Sequence, residues 1–279
     1  MNMKCISKLV LASIVLIGAA AKAQNFNHNI HLRSEKEVTP VTPAGEEHYY
    51  GARGLITLEG PSGMFINPTS GTLPRGKFTL QYCLFFPNVD TDVIGHGWLL
   101  GIGITDWLEI GAIASYININ APVESDHFAG GPQVRVRLLR DKAWWPELCV
   151  GSYARWGDHA LNKVGVYVAA SKRFIIDSKG VFRSVAVHAG FRQLWLDSAA
   201  PGQDSSVGYI GTELEFPYRI YAVGEVSTRD QQRPHADKTP FAFGLQCRLP
   251  AVALSVAGIQ AGDQDHLGFW FGIGTSVPF

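Results

Sequence analysis

The sequence predicts an all-β protein, an antiparallel transmembrane β-barrel of about 12 strands preceded by a short N-terminal periplasmic segment. Three observations predict it. The closing residues, LGFWFGIGTSVPF, put Leu267, Phe269, Phe271, Ile273, Val277 and Phe279 on one parity with Thr275, and Gly268, Trp270, Gly272, Gly274 and Ser276 on the other. Side chains alternate across a strand, so this strand has one greasy wall and one wall of mostly small residues, as suits a boundary between lipid and an enclosed interior. Beyond the N-terminal region no stretch reaches the roughly 18 to 20 uninterrupted apolar residues of a spanning helix, so any crossing of a membrane falls to strands. From residue 76 onward, twelve amphipathic segments can be counted, and three of the five even-numbered connections between them are two residues or fewer while no odd-numbered one is that short.

The chain opens with Lys4 and Lys8, the apolar run LVLASIVLIGAAA and the small-residue site Ala21-Lys22-Ala23. This pattern predicts a signal peptide over residues 1–23, cleaved after Ala23, and hence export. Cys5 precedes the apolar run and is not placed as a lipoprotein cysteine. Residues 24–75 form the second unit. Up to residue 53 they are polar, carry Pro40 and Pro43 and follow neither period, which predicts a periplasmic arm. Residues 54–75, GLITLEGPSGMFINPTSGTLPR, have turn signals at Pro61-Ser62-Gly63 and Asn67-Pro68, so they read as either a small plug or an ordered lead-in to the barrel.

The barrel is expected over 76–279. Its first strand, 76–86, sets Phe78, Leu80, Tyr82, Leu84 and Phe86 on one face. The next two, 97–104 and 107–117, are separated only by Thr105-Asp106, a tight hairpin. Segment 131–139 sets Val134, Val136 and Leu138 against Gln133, Arg135 and Arg137, and arginines facing lipid are costly, so these face inward. Strands follow at 147–156, 164–174, 184–196, 207–216, 219–228, 241–249, 251–259 and 267–279.

The connections 87–96, 118–130, 157–163, 197–206, 229–240 and 260–266 are all long, whereas in the other set Thr105-Asp106, Pro217-Tyr218 and Pro250 are very short and 140–146 and 175–183 are longer, the last long for a turn. That is the pattern of external loops and periplasmic turns. Trp98, Trp156 and Trp195 fall at loop ends and Trp107, Trp144 and Trp145 at turn ends, where the two interfacial girdles belong. Trp270 is the exception and points inward. By parity Cys83 and Cys149 face inward and Cys247 outward, without disulfide or metal-ligand spacing.

Charged residues make up 17% of the chain, against about 25% in a typical soluble domain, and Gly supplies 30 of 279 positions. A formal net charge of zero removes any argument for a nucleic-acid partner. Glu109, Arg135, Arg137, Arg155 and Arg192 are expected to line the lumen, with Glu213 and Glu215 beside them. Gln81, Tyr153, Tyr167, Arg173, His188, Gln246 and Arg248 share the inward parity. Charges of both signs in a lumen have two readings, a hydrated pore that filters solutes or a packed ion-pair network that closes a small barrel.

The loops repeat Asp and His, and Asp126-His127, Asp158-His159 and Asp265-His266 are candidate ligands for a divalent cation. The other reading is a solvated polar rim, since Asp is a good loop residue. Neighbouring Asp and His on a loop do not by themselves present both side chains to one substrate, and no outward Ser lies near a His, so neither an enzyme nor a cofactor is indicated.

Closing a chain on a strand that ends in phenylalanine resembles bacterial outer-membrane β-barrels, whose assembly machinery reads such a C-terminal signature. The resemblance implies an outer membrane of Gram-negative type, with membrane lipid and that machinery, through the Phe279 strand, as partners. A narrower resemblance lies in GLITLEGPSGMFINPTSGTLPRGKFTLQY, GITDWLEIGA and ELEFPYRIYAVGEV, which look like the opening and later hairpins of YjbH-like outer-membrane proteins associated with exopolysaccharide production. It implies a cell-envelope polysaccharide as partner and carries over no site residue. The expected role is a narrow, porin-like channel or an envelope protein assisting polysaccharide or small-solute passage. A sealed structural barrel with a surface cation- or ligand-binding rim is the alternative, and a loop-based hydrolase is the third reading.

Overall fold

The computed structural model describes residues 55–87, 93–119, 125–142, 144–158, 162–177, 180–196, 204–229, 238–262 and 266–279. The expected signal peptide and the arm up to residue 54 lie outside them. Two short strands, β1 (Leu55–Ile56) and β2 (Ser62–Gly63), pair with each other. Twelve longer strands form the wall: β3 (Lys77–Phe86), β4 (Val93–Gly103), β5 (Leu108–Ile119), β6 (Ser125–Leu139), β7 (Glu147–Gly157), β8 (Lys163–Ile175), β9 (Ser184–Leu196), β10 (Ser205–Phe216), β11 (Ile220–Ser227), β12 (Phe241–Arg248), β13 (Val252–Gln260) and β14 (Gly268–Pro278).

Each wall strand pairs antiparallel with the next, and β14 returns to β3 in a register running from Phe269↔Phe86 to Pro278↔Lys77. Closure leaves no sheet edge, which is the condition for strands in hydrocarbon, where no water can satisfy a free N–H or C=O. Among the described residues no helix is long and apolar enough to cross a membrane. The end of the barrel that carries Lys77 and Pro278 is called the turn end below, and the opposite end the loop end.

The faces follow the alternation of the sequence. Along β14 Phe269, Phe271 and Ile273 are exposed on the outer wall, while Gly268, Trp270, Gly272 and Gly274 are buried. Leu80, Leu100, Ile110, Val168, Leu245, Leu254 and Val256 continue the outer apolar surface around the barrel. Trp98 is 36% exposed and stacks on His96 at 5.9 Å between centroids, with Tyr82 donating or accepting a 2.8 Å hydrogen bond at His96 Nδ1. Trp144 and Trp145 stand out at the turn end, 90% and 66% exposed. Trp270 is buried inside. Cys83 and Cys149 are buried, Cys247 is half-buried, and all three are free thiols.

Two strands start four or more residues earlier than the alternation predicts. β4 begins at Val93 rather than residue 97, and β6 at Ser125 rather than residue 131. The ladder continues through Val93↔Ile119 and Ile119↔Ser125 because backbone pairing does not require apolar side chains. These residues rise beyond the apolar band, so the lipid no longer imposes a pattern on them. Asp126 and His127, expected on a loop, therefore belong to β6. At the turn end, Thr105 Oγ1 accepts from the N–H groups of Trp107 (3.2 Å) and Leu108 (3.0 Å) and closes the expected tight hairpin.

Inside the wall three tyrosines lie flat over glycines of the adjacent strand: Tyr153 on Gly165, Tyr167 on Gly151 and Tyr209 on Gly190. A Cβ at Gly165 would stand 2.4 Å from Tyr153 Cζ, so any side chain there would displace the ring.

The outer wall gives a direct prediction. Val256 lies in the middle of β13, outward and 51% exposed. Val256→Arg should lower the stability of the barrel folded in lipid vesicles by about 2–4 kcal/mol, read by urea titration, while leaving folding in detergent less affected. No loss in lipid would mean that this face does not contact hydrocarbon.

Candidate functional site: a lumen filled by residues 55–73

The lumen is occupied by the segment that precedes β3. Leu55, Ile56, Met64, Phe65, Ile66, Asn67, Thr69, Ser70, Thr72 and Leu73 are all at most 2% exposed. Its path is a re-entrant hairpin. Leu55 packs over Gly272 and Gly274 toward the turn end, and Ile56 against Gly97. Gly60 reaches Ile113, and Leu73 comes back to Gly101 before the chain enters β3.

Its own backbone makes the hairpin. Leu55↔Gly63 and Ile56↔Ser62 pair, Leu58 N–H donates to Phe65 O at 2.8 Å, and Met64 N–H donates to Asn67 O at 3.0 Å. Gly63 is required at the fold-back, since a Cβ there would stand 2.2 Å from Asn67 O and 2.6 Å from Pro68 Cα. Gly60 has φ +113, a conformation that L side chains rarely adopt.

The wall holds this hairpin through side chains. Glu225 on β11 is the largest anchor. Its Oε1 accepts from the N–H groups of Phe65 (2.7 Å) and Ile66 (2.6 Å), and its Oε2 from Asn67 N–H (3.1 Å) and Asn67 Nδ2 (2.8 Å). Three successive amides converging on one carboxylate form an anion nest, so the fold-back is closed by a charge from the opposite element. Around it, Gln246 Nε2 donates to Met64 O (2.9 Å) and Tyr209 OH to Pro68 O (2.9 Å).

Arg135, fully buried, donates to Thr69 O at 2.6 Å and to Ser62 Oγ, clamping both limbs of the hairpin. Its guanidinium lies 3.9 Å from Glu109, whose other oxygen accepts from Leu73 N–H at 2.8 Å. Ser70 Oγ donates to Glu147 (3.1 Å).

At the tip, Glu59 meets a cationic group on the loop-end half. Lys163 Nζ lies 2.5 Å from Oε2, Arg192 Nη1 3.2 Å from Oε1, and Tyr153 OH donates to Oε2 at 3.2 Å.

The residues expected to line the lumen all face it, but they divide by task. Glu109, Arg135 and Arg192 touch the hairpin. Arg137 pairs with Glu147 at 3.3 Å, Arg155 donates to Ser115 Oγ, and Glu215 meets Arg173 at 3.5 Å and Ser184 Oγ at 2.5 Å. Glu213 accepts two bonds from Arg248 (2.8 and 2.5 Å), which also sits 4.4 Å over the ring of Tyr221. His188 Nδ1 contacts Ser171 Oγ at 2.7 Å in the same layer.

Sequence reasoning missed Glu59, Glu147, Lys163 and Glu225. Glu225 shares the inward parity of Tyr221 and Val223, but those two are apolar, so β11 carries no polar-apolar contrast to mark its inner face.

The loop candidates are partly visible. Asp126 accepts from Asn118 Nδ2 at 2.7 Å, and Asp158 accepts from Phe128 N–H at 2.6 Å with His127 Nδ1 3.9 Å away. His266 is exposed at the loop end, whereas His159 and Asp265 lie outside the described residues. Among the described residues no group of three or more His, Cys, Asp or Glu is placed to hold a metal ion.

Comparison with solved structures places the fold. The chain is similar to the KdgM porin with a TM-score of 0.52 at 9% identity, over 71% of this chain and 99% of that one. The NanC porin gives 0.47 at 11% identity over 72% and 100%, and the translocator domain of the autotransporter NalP from Neisseria meningitidis 0.46 at 13% over 73% and 88%. No family model matches the sequence, and no curated protein matches it. The YjbH-like resemblance therefore finds no support, and what the comparison carries is the porin-like outer-membrane barrel fold.

The anchor at Glu225 is open to measurement. Glu225→Ala leaves buried amides without an acceptor, at about 1–3 kcal/mol for each group left unsatisfied. Hydrogen exchange of the Phe65, Ile66 and Asn67 amides should accelerate at least tenfold, with wall amides of β5 and β8 unchanged. Unchanged exchange at residues 65–67 would place the hairpin elsewhere.

Proposed function

We propose that the protein is a porin-type channel of the outer membrane whose resting state is shut by its own residues 55–73, and that it passes small polar solutes when this hairpin is displaced. The observation that carries the reading is the way the hairpin is attached. Among the described residues, the backbone–backbone hydrogen bonds of residues 55–73 fall within the segment itself, and its polar hold on the wall is made by side chains. Removing it breaks no strand pair of the barrel. The wall beneath it is mixed: charged and polar side chains of the kind that line a hydrated pore alternate with apolar ones such as Phe85, Leu99, Ile113, Val223 and Trp270, on which Ile56, Met64, Phe65 and Ile66 pack.

The magnitudes set the resting state. Among the described residues, the hairpin is held by fourteen hydrogen bonds to wall side chains, each with a net value near 1 kcal/mol and more where a charge takes part. It also buries Met64, Phe65, Ile66 and Leu73, with about 1.5–3 kcal/mol for each. Spontaneous withdrawal is therefore negligible, and opening needs a ligand or a partner that favours the displaced state. Export through the N-terminal signal and insertion through the C-terminal strand ending in Phe279 are the route this function requires. Passage of polysaccharide would demand a still larger displacement, because twelve strands enclose a narrow bore.

Single-channel recording in planar bilayers tests the reading. Wild-type protein should be closed, and the Glu59→Gln/Glu225→Ala double variant should show opening events of ohmic conductance. A double variant that is folded by heat-modifiable gel migration and still silent would make the protein a sealed structural barrel.

A further inference from the structure

The contact at the tip of the hairpin has the chemistry of a bound ligand. Glu59 is the only acid of residues 55–73, and its carboxylate is received by Lys163, Arg192 and Tyr153, which come from three different strands, β8, β9 and β7. All three are more than nine-tenths buried. The site offers more than Glu59 uses. Arg192 Nε and Nη1 make no hydrogen bond, although Nη1 stands 3.2 Å from Glu59 Oε1. Lys163 and Arg192 set two positive charges against the one carboxylate of Glu59, and burial makes such an excess count for more than it would in water. Lys163 is the first residue of β8, so the cluster lies toward the loop end.

We propose that Lys163, Arg192 and Tyr153 form a carboxylate-binding station, that Glu59 occupies it as an internal ligand, and that solutes bearing a carboxylate are the class that competes with the hairpin tip. This rests on the gated reading above only for its consequence, opening; the binding stands without it. A carboxylate in the station and a docked Glu59 exclude each other. By reciprocity, whatever weakens tip docking strengthens solute binding by the same factor, and solute binding in turn loosens the tip.

The probes are sodium propionate, which is the acid of the Glu59 side chain, and propionamide, its neutral counterpart, titrated calorimetrically at constant ionic strength into the full-length protein in detergent micelles. Glu59→Ala should bind propionate saturably and at least tenfold more tightly than wild type does, with no binding of propionamide. Adding Lys163→Met and Arg192→Met to Glu59→Ala should abolish the binding. Should Glu59→Ala fail to fold, Glu59→Gln serves in its place, since it retains the chain and removes only the charge.

Equal response to propionate and propionamide, or propionate binding indifferent to residue 59, would overturn the station. The same preparations are then recorded in planar bilayers. Propionate binding without conductance would leave the station standing and remove the channel, whereas conductance without preference for the acid would do the reverse.

Discussion

In hydrocarbon an unpaired amide has no water to turn to, and this constraint generates the rest of the molecule. It forces the sheet to close from β14 onto β3, so every strand has one face in lipid and one face in a shared interior. The lipid face then takes the large apolar residues, and polar groups collect inside. A closed ring of twelve strands encloses more space than its own small inward residues fill, as the glycines at 268, 272 and 274 of β14 illustrate. The interior must hold either water or more chain. Here it holds chain, and the same constraint applies again one layer inward, because the hairpin's own N–H and C=O groups are buried away from water.

That second layer explains why the lumen is rich in charge while the protein is neutral overall. The hairpin of residues 55–73 presents peptide groups in its turns, and the wall answers eight of them with a side chain of the right sign. Glu225 and Glu109 accept from N–H groups, and Arg135, Gln246 and Tyr209 donate to carbonyls. Other wall charges, such as Glu213 with Arg248 and Glu215 with Arg173, neutralise each other below. The charged residues of the lumen fall into zones of one surface. Some charges grip the hairpin, Lys163 and Arg192 at Glu59 among them, and others pair across strands.

The wall was legible in the sequence because lipid writes a period-two pattern into any strand that touches it. The inward parity of Arg135, Arg192, Glu213 and Trp270 follows from that alone. Where the strands rise past the apolar band, as at Asp126 and His127, the pattern lapses and the strand ends were placed too low. The course of residues 54–75 was not legible for a different reason. Their partners lie far away in sequence, Phe65 with Glu225 and Glu59 with Lys163, and no local period reports a contact across a lumen. Gly63 and Pro68 did announce a turn, but a plug and a lead-in both contain turns. Glu225 escaped notice because β11 has apolar residues on both faces.

The central claim is that the interior is occupied by residues 55–73 in the assembled barrel. It is tested most directly by thiol accessibility in a chain whose Cys5, Cys83, Cys149 and Cys247 are replaced by Ala, with a single cysteine introduced at Met64 or, as control, at Tyr218, which is 83% exposed in a turn. In folded protein reconstituted into lipid vesicles and given a membrane-impermeant maleimide on both sides, position 218 should label within minutes and position 64 only after denaturation. Equally rapid labelling at both positions would contradict the account.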